Sequence, residues 1–349
     1  MARRTAVRPA LAVLTLAGLA AALTGVAPAS AGPAEGTASA LVFQVNPVQS
    51  SGDESLTDQK DSATAVPATD YYGVTLTNLD GSGYLSGDWA SVKSETGKPA
   101  FAAPGGSYVY NRHDDQFEQV MAYYWVTQAQ LYLQSLGFGG ANGDLPPVNA
   151  ESQDIRINQY GADNSFSRSD NDELTFGKGG VDDAEDAEVI VHEYGHAVHD
   201  AQVDNFGTSL DAGSIGEAFG DYLAVSVGLA VGGPPAAGVP EACVMDWDAT
   251  SYTSTVPHCL RRVDTDLTVS QRRGEVHFDG QIWSRALWDI RTALGDRTAN
   301  RIIINAQFGF APDTSFAAAA TTTAQTAQAM YGAKAAKAVT TAFQARGIL

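Results

Sequence analysis

The stretch His192-Glu193-Tyr194-Gly195-His196 decides how the rest of this chain is interpreted. On a helix, residues i and i+4 share one face, so the two imidazoles project side by side. Two histidine nitrogens one turn apart can bind one Zn²⁺, and Glu193 between them can reach a water molecule there. The apolar flanks Val189-Ile190-Val191 and Ala197-Val198 predict a largely buried helix. The alternative is a chance pattern in which both histidines are ordinary core residues.

The first 31 residues have the pattern of a secretory signal peptide. Arg3, Arg4 and Arg8 form a basic segment, residues 11–23 an apolar segment, and Ala29-Ser30-Ala31 an A-x-A cleavage site. The apolar segment is too short to span a bilayer, and we expect no later stretch to be long enough. The sequence therefore predicts a secreted, extracellular protein that is cleaved near Ala31 and does not bind a membrane.

The charge of the chain is strongly acidic, with a formal net charge of −19. Loss of the signal peptide removes three arginines and no acid, so −19 becomes −22 in the mature chain. Such a surface repels phosphate backbones and disfavours nucleic acid as a partner.

Cys243 and Cys259 are the two cysteines, and in an exported protein they predict a disulfide. We expect a monomer.

The order of sequence patterns predicts an α+β fold with a β-rich N-terminal lobe, a central HExxH helix and a mainly α-helical C-terminal lobe. The segments are the signal peptide at 1–31, a β-rich part at 32–110 that could include some propeptide, an N-terminal catalytic lobe at 111–200 and the helical lobe at 201–349. Apolar spacing predicts helices from about Asp115 to Leu136 and from near Ser214 to about Val231. The active-site cleft is expected between the two lobes.

Residues 182–186, four acids and Ala184, precede the HExxH helix. Acidic side chains complement the positive end of a helix, so these residues predict its N-terminal turn. A Ca²⁺ site is the alternative, since carboxylate oxygens are the ligands that calcium prefers.

A catalytic zinc keeps three protein ligands and one water, so the two histidines need a further ligand. Glu217 and Asp221 are four residues apart on the next predicted helix and share one face. Glu217 is the predicted ligand, and Asp221 the acceptor for the outer N–H of a ligand histidine. The alternative for Glu217 is a capping box with Ser214. His199 is a helix residue that we do not expect to bind the metal.

The pattern H-E-x-x-H followed by Glu217-Ala218-Phe219-Gly220-Asp221 resembles the thermolysin-like and fungalysin-like zinc endopeptidases, and the spelling HEYGH favours the fungalysin side. The segment 274–282 resembles the one whose histidine, here His277, steadies the oxyanion. Leu260-Arg261 resembles the place of an arginine that grips a substrate carbonyl. Asn164-Ser165-Phe166 is similar to the stretch that holds the substrate backbone before an edge strand.

Two departures from that family pattern concern the oxyanion. No tyrosine lies between His196 and Glu217, and Arg272 occupies the place of an acidic residue that would orient His277.

The predicted activity is hydrolysis of internal peptide bonds in protein or peptide substrates, with zinc as cofactor and Glu193 as general base. The alternatives are a zinc aminopeptidase, whose G-x-M-E-N motif this sequence lacks, and a non-enzymatic protein whose structural zinc takes a further ligand such as His199.

Overall fold

Short strands packed around one long helix make up the N-terminal half of the chain, and helices make up most of the C-terminal half. The computed structural model describes residues 36–93, 97–103, 105–158, 161–168 and 172–349. The predicted signal peptide, residues 1–31, lies outside the described residues.

Regular elements of the described residues are numbered here in chain order. The strands β1 to β9 are Ala38–Phe43, Tyr71–Leu76, Ala90–Lys93, Ser107–Tyr108, Gln153–Arg156, Phe166–Arg168, Glu173–Thr175, Cys243–Val244 and Arg261–Arg262. The helices α1 to α8 are Pro47–Ser51, Asp115–Ser135, Ala187–Gln202, Leu210–Val227, Val276–Leu294, Asp296–Gln307, Phe316–Tyr331 and Ala333–Ala345. This segregation of strands and helices confirms the predicted α+β class.

The strands form small sheets of mixed direction. One sheet has the order β2-β1-β4, the next β3-β5-β7-β6, and β8 pairs with β9. In the four-stranded sheet, β6 is antiparallel to β7 and lies at the edge. An edge strand keeps unpaired backbone groups on one side, which another extended chain can use.

Helix α2 confirms the predicted helix between Asp115 and Leu136. Its inward residues Phe117, Val120 and Trp125 are buried. The helix ends before Gly137, whose φ of 103° suits a residue without a side chain.

The start of helix α4 differs from the prediction. The helix begins at Leu210 rather than near Ser214, because the Ser209 hydroxyl accepts the backbone N–H of Ala212 at 3.1 Å. Ser214 is already inside the helix and buried, so the capping-box interpretation of Glu217 is wrong.

The expectation that no later stretch could span a bilayer also needs correction. Residues 210–232 are long and apolar enough to cross one, although 72% of that window is buried inside the protein. The apolar character of this helix is accounted for by its place in the core, where it packs against α3 and α5.

Helices α3 and α4 approach one another at two glycines. A Cβ added to Gly195 would lie 2.9 Å from the Cα of Gly220, so neither position has room for a side chain. This contact brings together the faces of the two helices that carry His192, His196 and Glu217.

The acidic residues before α3 form its N-terminal turn, as predicted. Asp183–Glu185 is a turn of 3₁₀ helix, and the Asp186 carboxylate accepts the N–H of Glu188 at 2.9 Å as the cap of α3. Carboxylates at this end of a helix favour its dipole.

Buried cation and amide donors contact the carboxylates of Glu185, Asp186 and Glu188. Arg112 is fully buried, and its guanidinium pairs with Glu185 at 2.8 Å. The side-chain amide of Asn46 contacts Asp186 at 3.3 Å, and that of Gln49 donates to Glu188 at 3.2 Å. The segment around α1 is therefore tied to the base of the HExxH helix.

The cysteine prediction is also borne out. A disulfide joins Cys243 on β8 to Cys259, with Cα atoms 5.2 Å apart. It closes the connection that leads from β8 into β9.

Candidate active site

The two histidines of α3 and a glutamate of α4 converge at one point. The Nε2 atoms of His192 and His196 are 3.2 Å apart. A Glu217 oxygen lies 3.3 Å from the His192 Nε2, and the other lies 3.7 Å from the His196 Nε2. Among the described residues, these three form a group whose ligand atoms all lie within 4.8 Å of one another.

These separations fit a zinc ion. Tetrahedral zinc with bonds of about 2.0–2.2 Å holds its ligand atoms roughly 3.3–3.5 Å apart. One Glu217 oxygen is buried with no hydrogen-bond partner, although a buried carboxylate oxygen normally has one. A cation bound between the three side chains would supply that partner.

Asp221 lies one turn beyond Glu217 and fixes the orientation of a ligand ring. Its carboxylate contacts the His192 Nδ1 at 2.9 Å, which turns the His192 Nε2 toward Glu217. Burial opposes ionisation, but Arg261 holds the pKa of Asp221 well below its usual range. Asp221 therefore lies behind His192, as the sequence predicted.

Arg261 makes a contact that the sequence did not predict. Its Nε and Nη2 each donate to Asp221 at 2.7 Å, in the two-bond arrangement typical of arginine and carboxylate. Arg261 still lines the cleft beside Leu260, so its predicted contact with substrate stays a prediction.

His277 begins helix α5 and faces the same cluster. Its Nε2 lies 3.3 Å from Glu217, while its Nδ1 lies 2.7 Å from the Glu275 carboxylate. Glu275 also accepts the N–H groups of His277 and Phe278 as the cap of α5. The ring of His277 is half exposed, with 51% of the side chain accessible.

Glu275 is the functional residue that sequence reasoning missed. The family pattern places an acidic partner of His277 at the position of Arg272, whose side chain instead pairs with Asp211 at 2.8 Å. The available signal was the N-cap pattern, a carboxylate just before an apolar helix that begins at Val276.

Glu193 points from α3 into the cleft and is 7% exposed. Burial, helped by the negative charge of Glu217, raises its pKa to about 7. A carboxylate with such a pKa can accept and return a proton near neutral pH.

A cavity of about 340 Å³ surrounds these residues. One wall is the approach to the edge strand β6, where Asn164 and Phe166 lie, and another holds Val189 and Leu260. Asn164 thus lies beside an edge strand, as the sequence predicted.

His199 lies away from the cluster. It is 1% exposed, stacks on Phe206 with ring centroids 4.3 Å apart, and has no hydrogen-bond partner on either nitrogen. Burial holds its pKa well below the usual value, so the ring is neutral. The structure therefore gives no support to His199 as a further ligand that would close the metal site.

Comparisons with known proteins bear on the helical C-terminal half of the chain and on the fold. Residues 246–348 match the family model described as thermolysin metallopeptidase, alpha-helical domain. The structure is similar to the precursor of protealysin, a metalloproteinase from Serratia proteamaculans, with a TM-score of 0.53 and 18% identity. That likeness covers 74% of this chain and 87% of the other, and it concerns the fold. No curated protein matches the chain.

Proposed function

We propose that this chain is a thermolysin-like metallopeptidase, a secreted enzyme that cleaves internal peptide bonds with Glu193 as general base. Zinc is the cofactor that this family implies, and proteins or peptides are its substrates. The observation that carries the proposal is the 3.2 Å separation of the His192 and His196 Nε2 atoms, with Glu217 against both.

His192, His196 and Glu217 would hold the zinc, leaving one position open because His199 faces elsewhere. When bound there, zinc supplies Lewis acidity to a water molecule and to the scissile carbonyl. Asp221 keeps the Nε2 of His192 aimed at the ion, since its carboxylate holds the Nδ1 proton.

Glu193 takes a proton from the attacking water and gives it to the leaving amine. A carboxylate placed in the cleft can do both, and proton transfer of this kind is worth roughly 10²–10⁴-fold in rate. His277, whose Nδ1 is held by Glu275, presents its Nε2 to the oxygen on which negative charge develops. A single donor of that kind contributes about 3 kcal/mol to transition-state stabilisation.

The substrate backbone is proposed to lie along β6 as an added strand. The strand lies at the edge of its sheet, and Asn164 at its approach lines the cleft. Backbone pairing of this kind holds an extended peptide with little dependence on its sequence. A chain bound along an edge strand can continue past the cluster in both directions, which suits cleavage within a chain rather than at its end.

Export is proposed from the sequence of residues 1–31, which lie outside the described residues. The disulfide between Cys243 and Cys259 supports it, because such bonds persist in oxidising compartments.

The test is hydrolysis of an internally quenched peptide whose two ends are blocked. The parent protein should cleave it, lose activity in 1,10-phenanthroline and regain it with added Zn²⁺. Glu193→Gln should stay folded and zinc-loaded while its rate falls by a factor of 10² or more. Glu241→Gln, at an exposed glutamate, is the matched control and should keep the parental rate. Cleavage that ignores the chelator, or a fully active Glu193→Gln, would overturn the proposal.

A further inference from the structure

A second cavity adjoins the catalytic one, on the side where helix α3 contacts strand β6. It measures about 350 Å³ and shares Ser167 of β6 and Asp200 of α3 with the catalytic cavity. Asp200 is seven residues beyond Glu193, so both side chains lie on the same face of α3, about 10 Å apart along its axis. A peptide bound in the cleft can therefore place a side chain in the second cavity while its backbone passes the catalytic residues.

This cavity, the acidic groove, is lined by four carboxylates, those of Glu151, Asp172, Asp200 and Asp204. Asp200 is half-buried where the groove meets the catalytic cavity, and the other three acids are exposed. Arg168 also lines the groove, but its guanidinium lies over the ring of Phe166 and 4.0 Å from Glu173. Within the part of the chain that the structure describes, none of the four acids is paired with a lysine or arginine, so the groove carries an excess of negative charge.

A buried acceptor in the wall of the acidic groove indicates a ligand that donates hydrogen bonds. Gln153 of β5 lines the groove and is 1% exposed. Its side-chain amide donates to Asn149 at 3.3 Å, but its Oε1 has no hydrogen-bond partner, although buried side-chain oxygens normally have one. Asn149 adds one unpartnered N–H group, against acceptors from five side chains. This balance suits an ammonium or guanidinium group, which can only donate.

We propose that the acidic groove binds a lysine or arginine side chain of the substrate. This inference rests on the proposed function, because it takes the substrate to lie along β6. On α3 the groove is lined between its acids by Ala197 and Ala201, whose small side chains leave room for the aliphatic stem of a long basic residue. The carboxylates would repel an acidic side chain, and the two methyl groups give an apolar side chain little surface to contact.

A metal ion is the competing occupant of a groove rich in carboxylates. The spacing disfavours it, because no three of the four acids bring oxygens within 4.8 Å of one another, as the zinc cluster does with its ligand atoms. A metal ion needs several ligands around one point. Carboxylates distributed along a groove instead suit a flexible side chain with several N–H donors.

The test measures peptide binding separately from cleavage. The full-length Glu193→Gln chain, saturated with Zn²⁺, is titrated with a fluorescent, otherwise uncharged peptide whose ends are blocked. Lysine is placed at each position in turn, and norleucine at the same position is the uncharged comparison of similar length. Because several carboxylates act on one cation, lysine should bind roughly tenfold more tightly than norleucine at one position or more.

The decisive variant adds Asp200→Asn and Asp204→Asn to this chain. The preference for lysine should fall below about twofold, while the norleucine peptide binds as before. Glu241→Gln together with Asp313→Asn is the matched control, since it removes the same charge at exposed acids outside the groove and should keep the full preference.

A second variant, Glu151→Gln with Asp172→Asn, changes only exposed acids of the groove and so does not put folding at risk. It should lower the preference for lysine roughly threefold. Equal affinity for the lysine and norleucine peptides, or a preference that survives both groove variants, would overturn the proposal.

Cleavage of the same peptides by the chain with Glu193 intact distinguishes this inference from the proposed function. Its kcat/KM should show the same preference for lysine as the binding measurement. Selective binding without any cleavage would refute the peptidase and leave the groove assignment standing. Cleavage with no preference for lysine at any position would refute the groove assignment alone.

Discussion

Asp221→Asn is the substitution that tests the support of the metal site most directly. The Asp221 carboxylate is 3% exposed and accepts from three nitrogens, the Nδ1 of His192 at 2.9 Å and two of Arg261 at 2.7 Å. Asparagine has nearly the same size, so the change removes the charge and one acceptor without opening a cavity.

Two separate losses are expected. Arg261 keeps its charge in a buried place with its partner gone, and breaking such a pair costs about 3–5 kcal/mol of stability. The negative charges of Glu193 and Glu217 also act on Arg261, so we expect the lower end of that range. The His192 ring loses the carboxylate that orients it, which typically weakens zinc binding 10–100-fold.

The two losses are measured separately. Urea unfolding of the zinc-free protein gives the change in the free energy of unfolding. Competition with a chromophoric chelator gives the zinc Kd of the folded protein. Asp264→Asn is the matched control, because Asp264 pairs with the neighbouring Arg262 at 2.7 Å but both side chains are about one-third exposed. That control should cost less than about 1 kcal/mol and leave the zinc Kd unchanged.

A zinc Kd within twofold of the parent would refute the idea that the Asp221 charge orients His192. A loss of stability no larger than that of Asp264→Asn would refute the idea that the buried Arg261 depends on Asp221. Because the two readouts are independent, either part of the reasoning can fail alone.

Three further outcomes are expected. Glu275→Gln should lower kcat/KM at least tenfold while the zinc Kd is unchanged, since Glu275 contacts the His277 ring and the first turn of α5 but none of the three predicted zinc ligands. An unchanged pH profile and rate would contradict this. Gly220→Ala should weaken zinc binding, because the added Cβ would lie 2.6 Å from the Nδ1 of His192. Gly216→Ala is the control: its Cβ would lie 3.6 Å from the Nδ1 of His196, so this variant should bind zinc normally. In metal-free protein, burial raises the pKa of Asp183 to about 8, so the folded state binds more protons than the unfolded state. As pH falls from 8 to 5, one such group should raise the free energy of unfolding by up to about 1.4 kcal/mol per pH unit, and thermal midpoints should rise with it. Midpoints that rise with pH would disprove this.

The cluster of His192, His196 and Glu217 could be predicted from the sequence because its geometry follows from helical periodicity. His192 and His196 are one turn apart, and so are Glu217 and Asp221, so only the contact between two helices remained unknown. The resemblance to a known family supplied that contact. The glycine pair at which the helices meet, Gly195 and Gly220, could not be recognised as a contact from spacing alone.

The partner of His277 and the convergence of three aspartates could not be predicted in the same way. The partner of His277 is a helix cap two residues away rather than a residue at family spacing. Asp163, Asp183 and Asp248 come from three separate loops, whose convergence depends on the whole fold. Local patterns in a sequence do not encode contacts between residues that are far apart in the chain. The predicted start of α4 was wrong for a local reason, because Ser209 and Ser214 are both possible N-cap residues in the sequence.

The contacts of Asn46 and Gln49 with acids at the base of α3 have a consequence for the role of the N-terminal segment. Trimming that stops ahead of β1 leaves those amide donors in place. Loss of the segment that carries Asn46 and Gln49 would remove donors to Asp186 and Glu188, and α3 would begin among carboxylates with fewer hydrogen-bond partners. We therefore expect a chain that lacks residues 44–51 to have a less stable HExxH helix.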